Sequence, residues 1–287
     1  MKIVPLYTHF QGKRRTDIPV DLTGLDYLHP YIPGTSAHKL AHYDITFVTG
    51  GGGFLTVGKR TQRLAAGDVA FTRPGETRFW GKDRPEGSAL LFEGDFAGAL
   101  FNEEGYADRQ PFFKPGRLTA KLHLEEASFA QACSLLGNLS RLLDGTPERA
   151  ALRACLGDLF ALLKEAYTTG PEPEEARAAE GTQAYPYVDE FLRMAAADFR
   201  RQHATPYYAE HLGITSDYLN EQMKAVVGLS SKQYLLNRLF LEACRLLKGG
   251  TTSVADIADH LHFESLSYFV RFFRNQSGLS PREYRES

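Results

Sequence analysis

The chain has 287 residues and a formal net charge of −2 at pH 7, a length that suggests about two domains. No stretch approaches the roughly 18 apolar residues of a membrane span. Residues 1–10 lack the charged region and apolar run of a signal peptide, so we expect a cytoplasmic protein. The three cysteines, Cys133, Cys155 and Cys244, are scattered on apolar helix faces, which predicts buried thiols and excludes a disulfide framework or a zinc site.

Short apolar segments separated by glycine and proline turns predict β-structure between residues 40 and 95. The predicted strands contain residues 45–48, 54–57, 64, 69–71, 79–80 and 89–92. Turns are predicted at residues 50–53, 58–59, 67–68 and 74–75. Short strands at this spacing are typical of a barrel or a sandwich.

The stretch from Gly67-Asp68 to Arg73-Pro74-Gly75-Glu76 resembles the second motif of the cupin barrel. Catalytic cupins hold a metal with histidines and a carboxylate, but here Arg78 stands where the resemblance places a histidine. No His-x-His pair occurs near residues 50–53. His38 and His42 lie four residues apart in an extended segment, and we expect them not to share a face. We therefore predict neither a metal nor another cofactor.

Four residues of the predicted barrel are candidates for binding a small molecule: His42, Asp44, Arg78 and Trp80. Arg78 and Trp80 alternate on one predicted strand, so their side chains share a face. His42 and Asp44 do the same on another strand. An arginine beside an indole suits an anion or a sugar. The alternative is that Arg78 and Asp44 are paired or exposed and that Trp80 belongs to the core.

Residues 125–167 are predicted to form two helices separated by the breaker Asp144-Gly145-Thr146-Pro147. Each helix carries a leucine stripe that suits an antiparallel pair packed on the barrel, and part of the stripes can face a second chain. The stripes comprise Leu135, Leu136, Leu139, Leu142 and Leu143, and Leu152, Leu156, Leu159, Leu162 and Leu163. The acidic stretch 171–183 then predicts a linker. We therefore place two domains at 1–167 and 185–287, joined by residues 168–184.

A motif near the C-terminus is repeated at a fixed offset of fifty residues. Gly228-Leu229-Ser230 and Tyr234 recur as Gly278-Leu279-Ser280 and Tyr284. Tyr218-Leu219 and Lys224 likewise recur as Tyr268-Phe269 and Arg274. Solenoids need three or more repeats to bury their faces, so two copies indicate a duplicated helical module instead.

Each copy has the pattern of a helix-turn-helix. In the first copy Thr205-Pro206 begins a helix as cap and first helical residue, and Gly213 ends it. Thr215 or Ser216 then caps a second helix that ends at Gly228.

The second copy follows a long amphipathic helix predicted over residues 232–248. Its first helix begins at Val254, and it turns through His262-Phe263. Ser265 caps its second helix, which ends near Gly278. Its turn is one residue longer than that of the first copy. The phenylalanines at 263, 269, 272 and 273 are predicted to be core.

In a helix-turn-helix the second helix enters the major groove of DNA and the first crosses the backbone. The outward side chains of the two second helices are therefore candidate DNA contacts. They are Ser216, Asp217, Asn220, Glu221 and Lys224 in the first copy, and Glu264, Ser265, Ser267, Tyr268, Arg271 and Arg274 in the second. Arginine pairs with guanine, asparagine with adenine, and acidic groups with cytosine N4. Two such helices predict a reader of two groove segments about one turn, roughly 34 Å, apart.

Residues 205–285 resemble the DNA-binding domain of the AraC/XylS family of bacterial transcription regulators. The part of the pattern that is most specific to this family lies in the second module. It appears here as Ile257-Ala258, Phe263, Ser265, Ser267-Tyr268-Phe269, Arg271, Phe273-Arg274, Gly278, Ser280-Pro281 and Tyr284-Arg285. His262 departs from the pattern, since the family usually has a glycine there, and we expect strain or an altered backbone contact at this turn. The resemblance implies promoter DNA, a small-molecule effector, a homodimer formed through the helical pair, and the transcription machinery as partners.

From residue 185 onward, twelve Lys/Arg balance twelve Asp/Glu, which leaves this part formally neutral. Non-specific DNA affinity comes mostly from phosphate neutralisation, so we expect modest affinity per chain and a need for dimerisation.

The predicted fold is α+β: an N-terminal cupin-like β-barrel with a helical pair, then an all-α domain of two helix-turn-helix motifs joined by a long helix. The predicted function is sequence-specific transcription regulation without enzyme activity. An effector is expected to act on the barrel or on its N-terminal arm, residues 1–33. The alternatives are a metal-dependent cupin enzyme with an appended helical module, and a regulator whose barrel only dimerises.

Overall fold

The computed structural model describes residues 6–7, 18–28, 37–58, 60–83, 85–114, 117, 119–170, 186–248 and 250–286. The backbone divides into two units, residues 7–181 and residues 182–287, and Leu6 is grouped with the second. Each unit has its own hydrophobic core. Residues 171–185, which contain most of the predicted linker, lie outside the described residues.

The first unit contains two five-stranded sheets, with the strand orders β1-β3-β8-β5-β6 and β10-β7-β4-β9-β2. The strands are β1 Leu6–Tyr7, β2 Val20–Gly24, β3 His38–Leu40, β4 Tyr43–Gly50, β5 Gly52–Val57, β6 Arg60–Ala65, β7 Asp68–Thr72, β8 Thr77–Trp80, β9 Glu86–Phe92 and β10 Lys121–His123. Every strand predicted from the sequence is present. The α+β fold with an N-terminal barrel-like double sheet is therefore confirmed.

Alternation along the strands separates two cores. Ile45 and Phe47 of β4 belong to the large core that packs under the helices. Val48 of the same strand packs instead with Leu55 and Trp80, which come from the other sheet. The second set lies between the two sheets, and we call this space the barrel interior. A strand places successive side chains on opposite faces, so one strand serves both cores.

Helices cover the outer face of one sheet. They are α2 Gly94–Phe101, α3 Glu126–Leu143 and α4 Arg149–Thr169, with a 3-10 turn at Pro111–Phe113. The short helix α1, Leu25–Leu28, follows β2, and its Leu25 packs with the residues of the barrel interior instead. Helices α3 and α4 are the predicted pair, interrupted at the predicted breaker. Both leucine stripes lie in or against the large core: seven leucines are buried, and Leu135, Leu142 and Leu162 are partly buried. The stripes therefore serve mainly to pack the chain against itself.

Strand β2 was not predicted, and it corrects the limits of the N-terminal arm. It pairs with β9 from Val20 opposite Phe92 to Gly24 opposite Ser88. Its pattern was obscured because two of its buried side chains, Asp21 and Thr23, are polar. Residues 20–24 are thus an integral strand of the barrel, and an arm cannot extend to residue 33.

A half-buried carboxylate, Glu76, ties the turn after β7 to a distant segment. Its two oxygens accept hydrogen bonds from both terminal nitrogens of Arg117, at 2.7 and 2.8 Å. Glu76 also accepts from the backbone N–H of Arg73 at 2.9 Å. Burial alone would raise the pKa of Glu76, but the Arg117 guanidinium outweighs it and the pKa is lowered.

This lowered pKa predicts acid sensitivity of the first unit. A carboxyl whose pKa is lower in the folded protein than in the unfolded chain stabilises the fold at pH values above its unfolded-state pKa. This stabilisation is lost as the pH falls through the pKa of the folded state. We expect Glu76→Gln to be less stable than the wild type at neutral pH and to lose less stability below about pH 5. Urea midpoints measured across pH by the fluorescence of Trp80, the single tryptophan, test this. Parallel pH curves for the two proteins would contradict it.

The second unit is all-helical. Its helices are α5 Pro186–Asp198, α6 Thr205–His211, α7 Ser216–Val226, α8 Ser231–Lys248, α9 Val254–His260, α10 Leu266–Ser277 and α11 Pro281–Glu286. Helix α8 is the predicted long connection between the two modules. Its Glu242 is buried and accepts from Nε of Arg200 and Nε of Arg245, each at 2.8 Å, which ties α8 to the segment after α5. One core spans both modules.

Candidate nucleic-acid interface and barrel interior

The two helix-turn-helix modules, α6–α7 and α9–α10, have the same turn. After the first helix of each, two successive backbone N–H groups donate to carbonyls three and five residues earlier, all at 3.0 Å. The bonds are Gly213 to Glu210 and Ile214 to Ala209 in the first module, and His262 to Asp259 and Phe263 to Ala258 in the second. The predicted duplication is therefore present in the backbone as well as in the sequence.

His262 occupies a left-handed backbone conformation with φ 52°, and Gly213 has φ 66° at the equivalent point. A Cβ atom in this region is disfavoured by about 1–2 kcal/mol, although histidine tolerates it better than most residues. The strain expected from the sequence has a concrete origin, because the turn requires a conformation that suits glycine.

We expect His262→Gly to stabilise the second module by about 1 kcal/mol, because it removes this strain. Hydrogen exchange over residues 254–278 of the full chain measures the opening free energy. Gly213→Ala is the matched control, since a Cβ there meets open space and would add only the conformational cost. It should destabilise the first module by a similar amount. Unchanged or faster hydrogen exchange over these residues in His262→Gly would contradict the assignment of strain.

Side-chain caps fix how the two reading helices, α7 and α10, correspond. Oγ1 of Thr215 accepts from the N–H of Tyr218 at 3.2 Å, and Oγ of Ser265 accepts from that of Tyr268 at 3.2 Å. Thr215 is therefore the cap of α7. The turn residues Gly213 and His262 correspond at an offset of 49 residues, whereas the caps Thr215 and Ser265 correspond at an offset of 50. The extra residue of the second turn is therefore Glu264.

The cap predicted for α6 is wrong. The residue before the helix is Ala204, and Thr205 is already helical. The hydroxyl of Thr205 lies 2.9 Å from that of Ser231, which begins α8. Asn220 joins the same cluster, because its side-chain oxygen accepts from the Ser231 N–H at 3.1 Å and from the Ser231 hydroxyl at 2.6 Å. Asn220 thus holds a reading helix to the connecting helix.

Most other predicted contact residues lie on the surface. Asp217, Glu221 and Lys224 on α7 are exposed, and Ser216 is half-buried. The exposed residues of the second module are Glu264, Ser265, Ser267, Tyr268, Arg271 and Arg274, of which Ser265 is also the cap. The apolar residues Leu219 and Met223 of α7, and the phenylalanines of α9–α10, are buried as predicted.

Sequence reasoning missed Tyr218 as a surface group. It is 41% exposed, and its counterpart Tyr268 is 44% exposed. The Tyr218 ring lies 6.0 Å from that of Tyr187 in α5, edge to face, and the Arg271 guanidinium lies 5.4 Å from the Tyr268 ring centre. The fifty-residue repeat already pairs Tyr218 with Tyr268, so the signal was available.

In the barrel interior, Arg78 links the two sheets. Its Nη1 donates to Oδ2 of Asp44 at 2.8 Å, and its Nε donates to Nε2 of His38 at 2.8 Å. Its guanidinium carbon lies 5.9 Å from the ring centre of Trp80. Arg78, Asp44 and Trp80 are all at most 5% exposed. The predicted sharing of a face by Arg78 and Trp80 fits this arrangement.

Further polar groups surround this ion pair. Asp44 stands opposite Leu91 on β9, and Asp21 on β2 stands opposite the same Leu91, which places two buried carboxylates in one row. Burial lowers the pKa of His42 to about 4, so this imidazole is neutral at pH 7. Thr46 donates to the second oxygen of Asp44 at 2.7 Å.

The expectation that His38 and His42 would point apart is wrong. Both are buried, His38 bonds to Arg78, and His42 is close enough to Arg78 and Asp44 for their charges to affect its pKa. An even spacing along extended chain returns to the same face. His38 and Asp21 are the members of this cluster that sequence reasoning missed.

The alternative interpretation, in which this cluster stabilises the fold and binds no ligand, also has support. Arg78 and Asp44 are paired, and Trp80 lies among apolar side chains. Binding of a ligand here therefore remains a prediction. Within the described residues, no group of three or more His, Cys, Asp or Glu side chains could hold a metal ion. Among the helices that the structure covers, none has the length and hydropathy to span a bilayer.

Two family models match the chain. The AraC-like ligand binding domain matches residues 29–187, and a helix-turn-helix domain matches residues 208–287. Since the first match alone covers more than half of the sequence, the chain belongs to the AraC family. It is a DNA-binding transcription regulator of the AraC type with an N-terminal ligand-binding domain.

Relatives of the chain are transcription regulators. The Msm operon regulatory protein of Streptococcus mutans is 23% identical over 245 residues, 85% of this chain and 84% of that protein. The activator RhaS of Escherichia coli is 32% identical over 78 residues, which are 27% of this chain and 28% of RhaS. Among solved structures, apo ToxT from Vibrio cholerae covers 95% of this chain and 98% of its own, with 13% identity and a TM-score of 0.47.

Proposed function

We propose that α7 and α10 read two adjacent major-groove segments of promoter DNA, and that a small molecule bound in the barrel interior controls this binding. The proposed contacts are Asp217, Tyr218, Glu221, Lys224, Glu264, Ser267, Tyr268, Arg271 and Arg274. We place the sensing domain at 1–167, the linker at 168–184 and the DNA-binding domain at 185–287. We further propose a cytoplasmic homodimer that acts on the transcription machinery and has no catalytic activity.

One observation carries the DNA-binding proposal. On each reading helix, polar side chains at spacings of four and three residues form one exposed stripe, while every large core residue of the helix faces inward. The stripes are Asp217, Glu221 and Lys224 on α7, and Ser267, Arg271 and Arg274 on α10. Spacings of this kind place side chains on a single helix face, as groove readout requires.

The charges of the barrel interior favour a neutral, polyhydroxylated effector over an anion. Arg78 is already neutralised by Asp44, and Asp21 adds a second buried carboxylate. A ligand carboxylate would have to compete with Asp44 for Arg78 in a site removed from water, which is unfavourable. Carboxylate and imidazole groups instead accept hydrogen bonds from sugar hydroxyls.

Thr23 supports a hydroxyl-bearing ligand. It is 3% exposed, and its hydroxyl has no hydrogen-bond partner within the described part of the chain. A buried polar group left without a partner costs free energy, typically about 1–3 kcal/mol. A ligand hydroxyl that bonds to Thr23 would recover that cost.

Selection of bound sequences from a random double-stranded DNA pool, at near-physiological salt, tests the DNA-binding proposal. Enrichment of a bipartite motif with segments about one turn apart is expected. A motif of a single segment would mean that only one helix reads DNA and would overturn the two-helix arrangement.

A thermal-shift screen of the full chain tests the effector class. Neutral sugars and polyols are expected to stabilise the first unit, by about 2.7 kcal/mol at a hundred times Kd, while simple carboxylic acids are not. Thr23→Val keeps the side-chain shape and should fold normally, but it should weaken the response to the stabilising sugar. Stabilisation by carboxylates alone would overturn the proposed effector class.

A further inference from the structure

Equivalent positions of the two reading helices carry opposite charges. The caps Thr215 and Ser265 fix the correspondence at fifty residues. Glu221 therefore stands in α7 where Arg271 stands in α10, and both are exposed. The next position of the stripe is basic in both helices, Lys224 and Arg274. The central residue of the exposed stripe is thus the point at which the modules differ most.

The whole stripe follows the same trend. On α7 the outward groups are Asp217, Glu221 and Lys224, with a net charge of −1, whereas Ser267, Arg271 and Arg274 on α10 give +2. Within the described residues, no ion pair neutralises Asp217 or Glu221. A carboxylate that approaches DNA is repelled by the phosphates, so its presence on a groove-facing stripe needs a compensating contact.

The major groove offers such a contact at few places. Cytosine presents its N4 amino group as a donor, and glutamate accepts from it. Guanine presents only the acceptors O6 and N7 in the major groove, and an arginine guanidinium can donate to both in a bidentate contact. We propose that Glu221 reads a cytosine and that Arg271, at the equivalent position of the second module, reads a guanine. This inference rests on the proposed docking of both helices.

The two modules then contribute differently to the affinity and the specificity of DNA binding. Helix α10, with two arginines, supplies most of the phosphate attraction and one strong base contact. Helix α7 adds little affinity of its own, since its carboxylates oppose the phosphates, but it rejects sites that lack the cytosine. The formally neutral charge of the domain is consistent with this division.

The test compares sequences selected from a random double-stranded DNA pool by the full-length wild type, Glu221→Arg and Glu210→Arg. The wild type should select cytosine at one position of the α7 segment and guanine at the matching position of the α10 segment. Glu221→Arg should replace that cytosine by guanine and leave the rest unchanged. Glu210→Arg makes the same charge change on exposed α6, so it should tighten binding without altering the motif.

A second variant measures the size of the effect. Glu221→Ala should reduce the preference for cytosine at that one position by roughly tenfold to a hundredfold, as for one good base contact. A bipartite wild-type motif that keeps its cytosine in both Glu221 variants overturns the inference and leaves the docking of two helices intact. Failure of the wild type to select any bipartite motif would instead overturn the proposed docking, and this inference with it.

Discussion

Gly87→Ala is expected to destabilise the first unit by more than about 3 kcal/mol, a loss in the range of severe single substitutions. Gly87 lies on β9, between β2 and β4, with φ 153°, which is rare for any residue with a side chain. A Cβ there would lie 1.9 Å from the carbonyl oxygen of Phe47. Backbone cannot move aside as a flexible side chain can, so the pairing of β4 with β9 would have to shift.

Urea unfolding followed by the fluorescence of Trp80 measures this loss. Gly58→Ala is the matched control, because Gly58 also has a positive φ, 63°, but a Cβ there meets nothing within 4 Å. It should cost only about 1–2 kcal/mol. If both variants lost the same stability, the close approach of Phe47 would have no special effect and the prediction would fail.

Asp44→Ala is expected to cost about 3–5 kcal/mol, since it leaves the Arg78 charge buried without its partner. The pair is 2.8 Å apart, and both side chains are 2% exposed. His38, the other described side chain that bonds to Arg78, accepts a hydrogen bond but is uncharged in that role, so it does not replace the lost charge. The same fluorescence measurement applies.

A double variant separates the ion pair from simple loss of packing. Asp44→Leu combined with Arg78→Met replaces both charges by apolar groups, and such replacements of buried pairs are often neutral or stabilising. We expect the double variant to be clearly more stable than Asp44→Ala and to bind DNA, but to lose its response to a stabilising sugar. Asp44→Leu and Arg78→Met are also measured separately, and a loss in the double variant equal to the sum of their losses would show that the charges are not coupled.

Local patterns in the sequence were sufficient for much of this protein. The alternation of apolar residues located the strands from Ile45 to Phe92, and the leucine stripes located α3 and α4. The same signal failed at β2, because Asp21 and Thr23 occupy the inward positions where apolar residues are expected. A strand that lines a polar interior has no apolar alternation to detect.

The candidate sites divide in the same way. The repeat by itself determined that there are two modules and which residues are equivalent, since caps, turn residues and helical spacing are properties of short segments. Only the tertiary structure decided that Asn220 bonds to Ser231 and that Arg78 meets Asp44 across the barrel. Those contacts join different helices or strands, and the paired residues are 11 and 34 positions apart in the chain. Their geometry follows from how the sheets and helices pack, which no local pattern encodes.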